Sequence, residues 1–374
     1  MLVLKPGVYI GLAEQFYFEV DALGSSDLSD LKSNPADWWY GSRHNPDREQ
    51  KDDAQARRLG RALHALMLEG VRAYERSVSV EPDPRHYPDV LKTADEIRYL
   101  LIDNLIRFPS KPSKQDLVDA AVKAGYGKKI WDHIIADHLR KVAAGRVPLT
   151  AAQDRALRHM AKLADSEPTI GPALRNGIPE VTIFFRRPST PDILFRARLD
   201  SLAPVATIDL KTLSNWKGRT IADMARRQIE EFEYDIQRRF YDEARAYARA
   251  FIDAGEVYVF DENLKVGEFY TMDVLSRRER KILKDVAKND SWRWIWLFYQ
   301  LRDDRNHKAP IIIPRSHEPA GEVWDEAGRK IDRAIENYQD YVKRFGFDTP
   351  WAHIEPAREL DDTDLAGLRF KTAV

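Results

Sequence analysis

The stretch Arg196-Ala-Arg-Leu-Asp-Ser-Leu202, followed beyond Ala203-Pro204 by Thr207-Ile-Asp-Leu-Lys-Thr212, decides how this 374-residue chain reads. It predicts two adjacent β-strands joined by a short turn at Ala203-Pro204. Asp200 stands near the end of the first strand, and Asp209 and Lys211 stand on the second with one residue between them. Side chains alternate across a strand, so Asp209 and Lys211 share a face while Ile208 and Leu210 point the other way into a core. Charges among apolar neighbours are costly to bury unless they pair or bind a metal. Asp-x-Lys supplies a hard oxygen ligand for Mg²⁺ beside an ammonium that polarises a water or steadies a phosphate. Taken alone, the same pair is what an ordinary surface ion pair looks like.

The setting adds to it. A further strand, Glu180-Val-Thr-Ile-Phe-Phe185, precedes the pair and opens with a carboxylate. A long helix is expected over Asp223–Ile252, with Phe232, Ile236, Phe240 and Ala244 as its core stripe and Tyr234, Gln237 and Tyr241 on a second face. Gln237 can hydrogen-bond a phosphate, a water or a carboxylate, and Tyr241 can stack or bond likewise. Arg238, Arg245 and Arg249 give this helix a local basic density suited to DNA phosphates; pairing with Glu231, Asp242 or Glu243 is the competing account. Upstream, a helix from about Asp53 to Glu69 carries the stripe Leu59, Leu63, Leu66, Met67 and places Gly60 and His64 on one face. His64 reads either as a hydrogen-bonded structural residue or as the edge of a metal site.

Lys and Arg number 59 against 60 Asp and Glu, for a net charge of −1, so any nucleic-acid partner must be held by a local patch. The absence of cysteine excludes disulfides, Cys-ligated zinc and Cys-ligated iron–sulfur clusters, and suits a reducing cytoplasm. No apolar run approaches a membrane span, no secretory signal is expected at the start, and there is no phosphate-binding P-loop.

The rest reads as one domain over 1–350. Residues 1–20 predict a short hairpin or extended arm. Gly24-Ser-Ser caps a helix at Asp27–Lys32, and Trp38-Trp39-Tyr40 anchor a second one. A charged loop spans Arg43–Asp53. After a linker containing Pro82, Pro84 and Pro88, a helical insertion over about 85–170 carries amphipathic segments at 92–107, 114–124, 128–143 and 150–165. Ser113 and Thr150 stand at helix starts, the latter in a capping box with Gln153. The core is expected over about 175–275, with a late strand pair at Glu256–Asp261 and Glu268–Met272. Helices near 273–288 and 321–344 follow, with a short strand or core plug at Ile311–Pro314, and a tail over 355–374.

With these parts placed, the chain resembles the exodeoxyribonuclease VIII (RecE-type) branch of the PD-(D/E)xK nucleases, found in phages and prophages. Gly60-Arg-Ala-Leu-His64, Glu180, Asp200, Asp209-Leu-Lys211 with Thr212, and Gln237-Arg-Arg-Phe-Tyr241 stand in that family's order. The resemblance implies an α/β restriction-endonuclease-like core, a central mixed sheet flanked by helices, here with the helical insertion. It implies Mg²⁺, or Mn²⁺, held by Asp200, Asp209 and the Leu210 carbonyl, with Glu180 and His64 completing or flanking a second position. Lys211 acts on the attacking water; Gln237 and Tyr241 position the scissile strand. The implied activity is 5′→3′ degradation of double-stranded DNA ends, by a ring-like homo-oligomer working with a single-strand annealing protein. An endonuclease of the same fold, or an idle DNA-binding or phage structural relative, stays open.

Overall fold

The computed structural model describes residues 4–48, 55–213, 220–261, 268–300 and 311–354. Its strands are β1 Gly7–Ile10, β2 Val78–Val80, β3 Val147–Leu149, β4 Ile178–Arg187, β5 Thr190–Ala203, β6 Ala206–Thr212, β7 Val257–Val259, β8 Tyr270–Thr271, β9 Arg293–Gln300 and β10 Ile311–His317. Eight of them form one sheet in the order β10-β9-β6-β5-β4-β1-β7-β8. It is mixed: β6–β9 and β1–β7 run parallel, and the other neighbours antiparallel. The quoted hairpin is β5–β6, turning at Pro204–Val205.

Helices cover both faces. Ile183, Phe185, Trp294, Trp296 and Phe298 pack with Ile236, Phe240, Ala244, Ile282, Leu283, Ile331 and Ile335. Ile208, Leu210, Leu297 and Tyr299 pack with Leu63, Leu66, Leu157, Met160 and Leu174. Ile208 and Leu210 therefore enter a core, as the alternation requires.

β9 lies outside the expected elements. Arg293-Trp-Ile-Trp-Leu-Phe-Tyr-Gln300 lacks the polar alternation that marks a half-exposed strand, because alternate residues serve the two opposite cores. It lies beside β6 with Asp209 opposite Trp296 and Lys211 opposite Phe298. The expected N-terminal arm is also corrected: Gly7–Ile10 is an inner strand between β4 and β7, and Glu14–Glu19 is a short helix.

The long helix expected over Asp223–Ile252 is two, Ile221–Glu231 and Tyr234–Asp253. The break is at Glu233, whose φ of 47° and ψ of 47° are left-handed. Its carboxylate is clamped by Lys32 at 2.7 Å and Lys330 at 3.2 Å, from two other helices. Phe232 consequently leaves the core stripe and is exposed.

The parallel pair β2–β3 closes the base of the inserted helices. Among these, Ala94–Asp103 and Lys114–Lys123 build a small core of their own from Ile97, Leu101, Leu117, Val118, Ala121 and Ile130. Ala151–Ser166 instead joins the core against the sheet. Both Ser113–Asp116 and Thr150–Gln153 form capping boxes. The end of the charged loop after Arg48 and the expected tail over 355–374 lie outside the described residues. No helix among the described residues is long and apolar enough to cross a membrane.

Candidate active site

Three backbone irregularities meet where the expected residues converge. First, the β5–β6 ladder pairs Ser201 with Ile208, Leu202 with Thr207 and Ala203 with Ala206, and goes no further. Beyond it the N–H of Leu210 donates to Asp200 Oδ2 at 2.7 Å, so a side chain takes the place of a strand partner. Secondly, Glu180 lies between the Pro179–Ser201 and Val181–Leu199 pairs, and so opposite Asp200, with a left-handed φ of 49°. Such a conformation in a non-glycine residue is strained and tends to mark functional positions. Thirdly, the helix Gln55–His64 runs directly into a π-helical turn, Ala65–Glu69. Single π turns inside α-helices are frequent at functional sites.

These features bring His64, Glu180 and Asp200 together. One donor atom from each lies within 4.8 Å of the others. His64 Nδ1 is 3.5 Å from Glu180 Oε1, and Nε2 is 3.8 Å from Asp200 Oδ2. Two carboxylates and an imidazole suit a divalent cation of the Mg²⁺ or Mn²⁺ kind, and three carboxylate and imidazole groups converging in a cleft fit that reading.

Asp209, buried at 2% exposure, stands beside this group rather than in it. Its carboxylate meets Lys211 Nζ at 2.8 Å and accepts from Gln237 Nε2 at 3.3 Å. Lys211 also sits 4.7 Å from the centroid of the Tyr234 ring. Leu210 touches the group through its N–H, to Asp200; the expectation had assigned its carbonyl to the metal. Tyr241 is buried, and the side chains of Ser25 and Gln237 lie near its hydroxyl. Its place is thus beside Gln237, which holds Asp209.

Electrostatics follow from this crowding. Burial lifts the Asp200 carboxyl above the usual range, and Glu180 adds to the lift against the pull of His64 and Lys211. Burial likewise lifts Asp209 to about 6, with Asp200 raising it and Lys211 opposing. Burial alone would depress His64, but Asp200, Glu180 and Asp209 outweigh it and raise the imidazole to about 9. At neutral pH His64 is therefore an imidazolium that neutralises the carboxylates. A metal that uses the ring must displace that proton. Binding of Mn²⁺ or Mg²⁺ at pH 7.5 is expected to release about one proton per site. Calorimetry in buffers of different ionisation enthalpy measures this, and affinity should climb with pH up to about 9. An apparent enthalpy independent of buffer would mean that His64 keeps its proton and is no ligand.

The group opens into a cavity of about 930 Å³. Its lining includes Gly60, His64, Glu69, Glu180, Asp200, Leu210, Thr212 and Tyr299, with Arg57, Arg61, Arg76, Arg146 and Arg198. A Cβ on Gly60 would meet only the Tyr299 hydroxyl, at 3.5 Å, so the glycine faces open cavity rather than packed backbone. Tyr299, accepting from Thr212 Oγ1 at 3.0 Å, came from the unforeseen β9. Arg57 and Arg61 precede His64 by seven and three residues on the same helix, a signal that helical spacing offered and the reading passed over.

The expected DNA-binding arginines are corrected. Arg238 and Arg245 are fully buried. Arg238 pairs with Asp242 at 2.9 Å and lies against Trp294 and Trp324. Arg245 donates to the carbonyls of Ala203, Pro204 and Ala206 and to Thr207 Oγ1, all at 2.8–2.9 Å. Arg249 is half-buried over Trp292. Spacing put these residues on one face; that face is turned to the sheet.

Residues 117–253 match the family described as a PDDEXK-like domain of unknown function, DUF3799. The match takes in Glu180, Asp200, Asp209, Lys211, Gln237 and Tyr241 and leaves out His64. No curated protein matches the chain. The mixed α/β sheet, the forked strands at Asp200 and the family match agree: the fold is PDDEXK-like, as the sequence led one to expect.

Proposed function

We propose that the chain is a divalent-metal-dependent nuclease that hydrolyses DNA phosphodiester bonds from duplex ends. The observation that carries this is the meeting of His64, Glu180 and Asp200 in an arginine-lined cavity, with the Asp209–Lys211 pair close enough to act on their charges. A bound cation supplies Lewis-acid polarisation of the phosphate and activation of water. His64, Glu180 and Asp200 would hold it, with Asp209 able to join once its hold on Lys211 is shared. Lys211, kept protonated by Asp209 and Asp200 against its own burial, offsets charge on the phosphoryl group and orients the attacking water. Gln237 fixes Asp209, with Tyr241 buried beside it.

Attack from an end belongs to the RecE-type reading, and the cavity of about 930 Å³ has room for a few nucleotides of one strand. A 5′→3′ polarity, a ring-like oligomer and an annealing-protein partner are the further content of the RecE-type reading.

End-labelled duplex digested in Mg²⁺, beside a covalently closed circle, tests it. The expected result is release of short labelled products from the linear duplex, from the 5′ end, with the circle intact. Cutting of the circle would make it an endonuclease, and no digestion of either in Mg²⁺ or Mn²⁺ would remove the nuclease reading.

A further inference from the structure

Of the three aromatic side chains that line the cavity holding the carboxylates, Tyr17, Phe18 and Tyr299, only Phe18 is exposed. Phe18 lines it and is 54% exposed, whereas its neighbour Tyr17 is buried. A single exposed aromatic is ordinary; this one is fixed in place. The Arg43 guanidinium donates to the carbonyls of Phe18 and Glu19. The ring meets Tyr17 edge-on at 5.0 Å, and the Arg196 guanidinium lies 5.4 Å from its centroid. Arg196 is itself buried and anchored on Asp27 and on the carbonyls of Tyr17 and Val20. Cation and edge contacts thus orient the ring at the cavity wall while half of it stays exposed.

We propose that Phe18 is a stacking platform for an unpaired base of the strand that enters the cavity, with Arg57 and Arg61 receiving its phosphates. Every base has a π-face, so such a platform grips a single strand irrespective of sequence. Arginines in the same cavity supply the backbone attraction that a net charge of −1 does not provide globally. The role follows from the room available: a strand separated from its complement exposes unstacked bases, and an oriented aromatic rim gives the first of them a partner. This rests on the nuclease reading and specifies the form of DNA the site grips: a separated strand.

The test uses the whole chain with Ca²⁺ in place of Mg²⁺ and a single-stranded oligonucleotide carrying 2-aminopurine, whose fluorescence falls on stacking. Wild type is expected to bind and quench. Phe18→Ala should bind roughly 5- to 100-fold more weakly and lose the quench. Phe18→Trp and Phe18→Tyr should keep both, while Phe18→Leu, apolar but without a π-face, should behave like Phe18→Ala. Thermal melting of each variant should match wild type, because the ring is half exposed. If Phe18→Ala or Phe18→Leu binds and quenches like wild type, the platform is wrong and the nuclease reading stands. If wild type binds neither single-stranded nor duplex DNA, the nuclease reading itself fails and takes the platform with it.

Discussion

Asp200→Asn is expected to abolish metal-dependent cleavage while leaving the protein at least as stable as wild type. The loss of activity should exceed the ~10–100-fold typical of residues that only support a metal ligand. Asp200 sits at the fork of β5 and β6, between His64 and the Leu210 N–H, and no other described carboxylate occupies that point. Asn keeps the shape and still accepts from Leu210, but offers the cation no charge. The stability argument runs through the raised carboxyl. A group whose folded value lies above its unfolded one opposes folding when ionised, so the penalty is full above the folded value and fades as pH falls through it toward the unfolded one. Asn removes it. For the same reason Mg²⁺ should raise the Tm of wild type and leave that of Asp200→Asn nearly unchanged. Retained cleavage would move the site elsewhere, and a Tm lower by several degrees would make Asp200 a structural residue.

What the sequence could disclose here was whatever depends on near neighbours along the chain. Alternation over Thr207–Thr212 is enough to set Asp209 and Lys211 against Ile208 and Leu210, and the hairpin turn is written in Ala203-Pro204. Helix starts at Ser113 and Thr150 are likewise local. Apart from Arg57 and Arg61, the misses are non-local. β9 is apolar on both sides because two cores claim it, and nothing within its eight residues says strand rather than buried helix. The break at Glu233 depends on lysines 201 residues before it and 97 residues after it. The fork at Asp200, the left-handed Glu180 and the π turn after His64 are departures from regular structure, and periodicity describes only the regular part. The arginines of the Tyr234–Asp253 helix show the same limit from the other side: spacing tells which residues share a face, and packing alone tells whether that face meets solvent or sheet.

That distinction makes Arg245 the second large effect, on stability rather than on DNA. Its guanidinium is fully buried, and burial pushes it below its ordinary value, with only Asp242 pulling it back. What holds it is the β5–β6 turn: three carbonyls and one hydroxyl receive its protons, and Trp292 lies 4.9 Å from it. Arg245→Ala strips those four acceptors at once and leaves a cavity under the tryptophan. Each buried acceptor left unpaired costs about 1–3 kcal/mol, and the effects do not add fully because they share one side chain and one turn. A net loss of about 3–5 kcal/mol is expected, the range seen when a buried charged network is broken. Arg245→Lys should recover little, since one ammonium cannot reproduce a planar fork aimed at four acceptors. Chemical denaturation measures the loss directly. The salt dependence of DNA binding gives the contrast: a phosphate contact would lower the slope by about one per arginine, and for the folded fraction of Arg245→Ala no change is expected. The same experiment on Arg57 or Arg61, which line the cavity, should lower it. A mutant at Arg245 that melts like wild type yet binds DNA with a shallower salt slope would restore the helix as the DNA-binding face and overturn the buried network as its purpose.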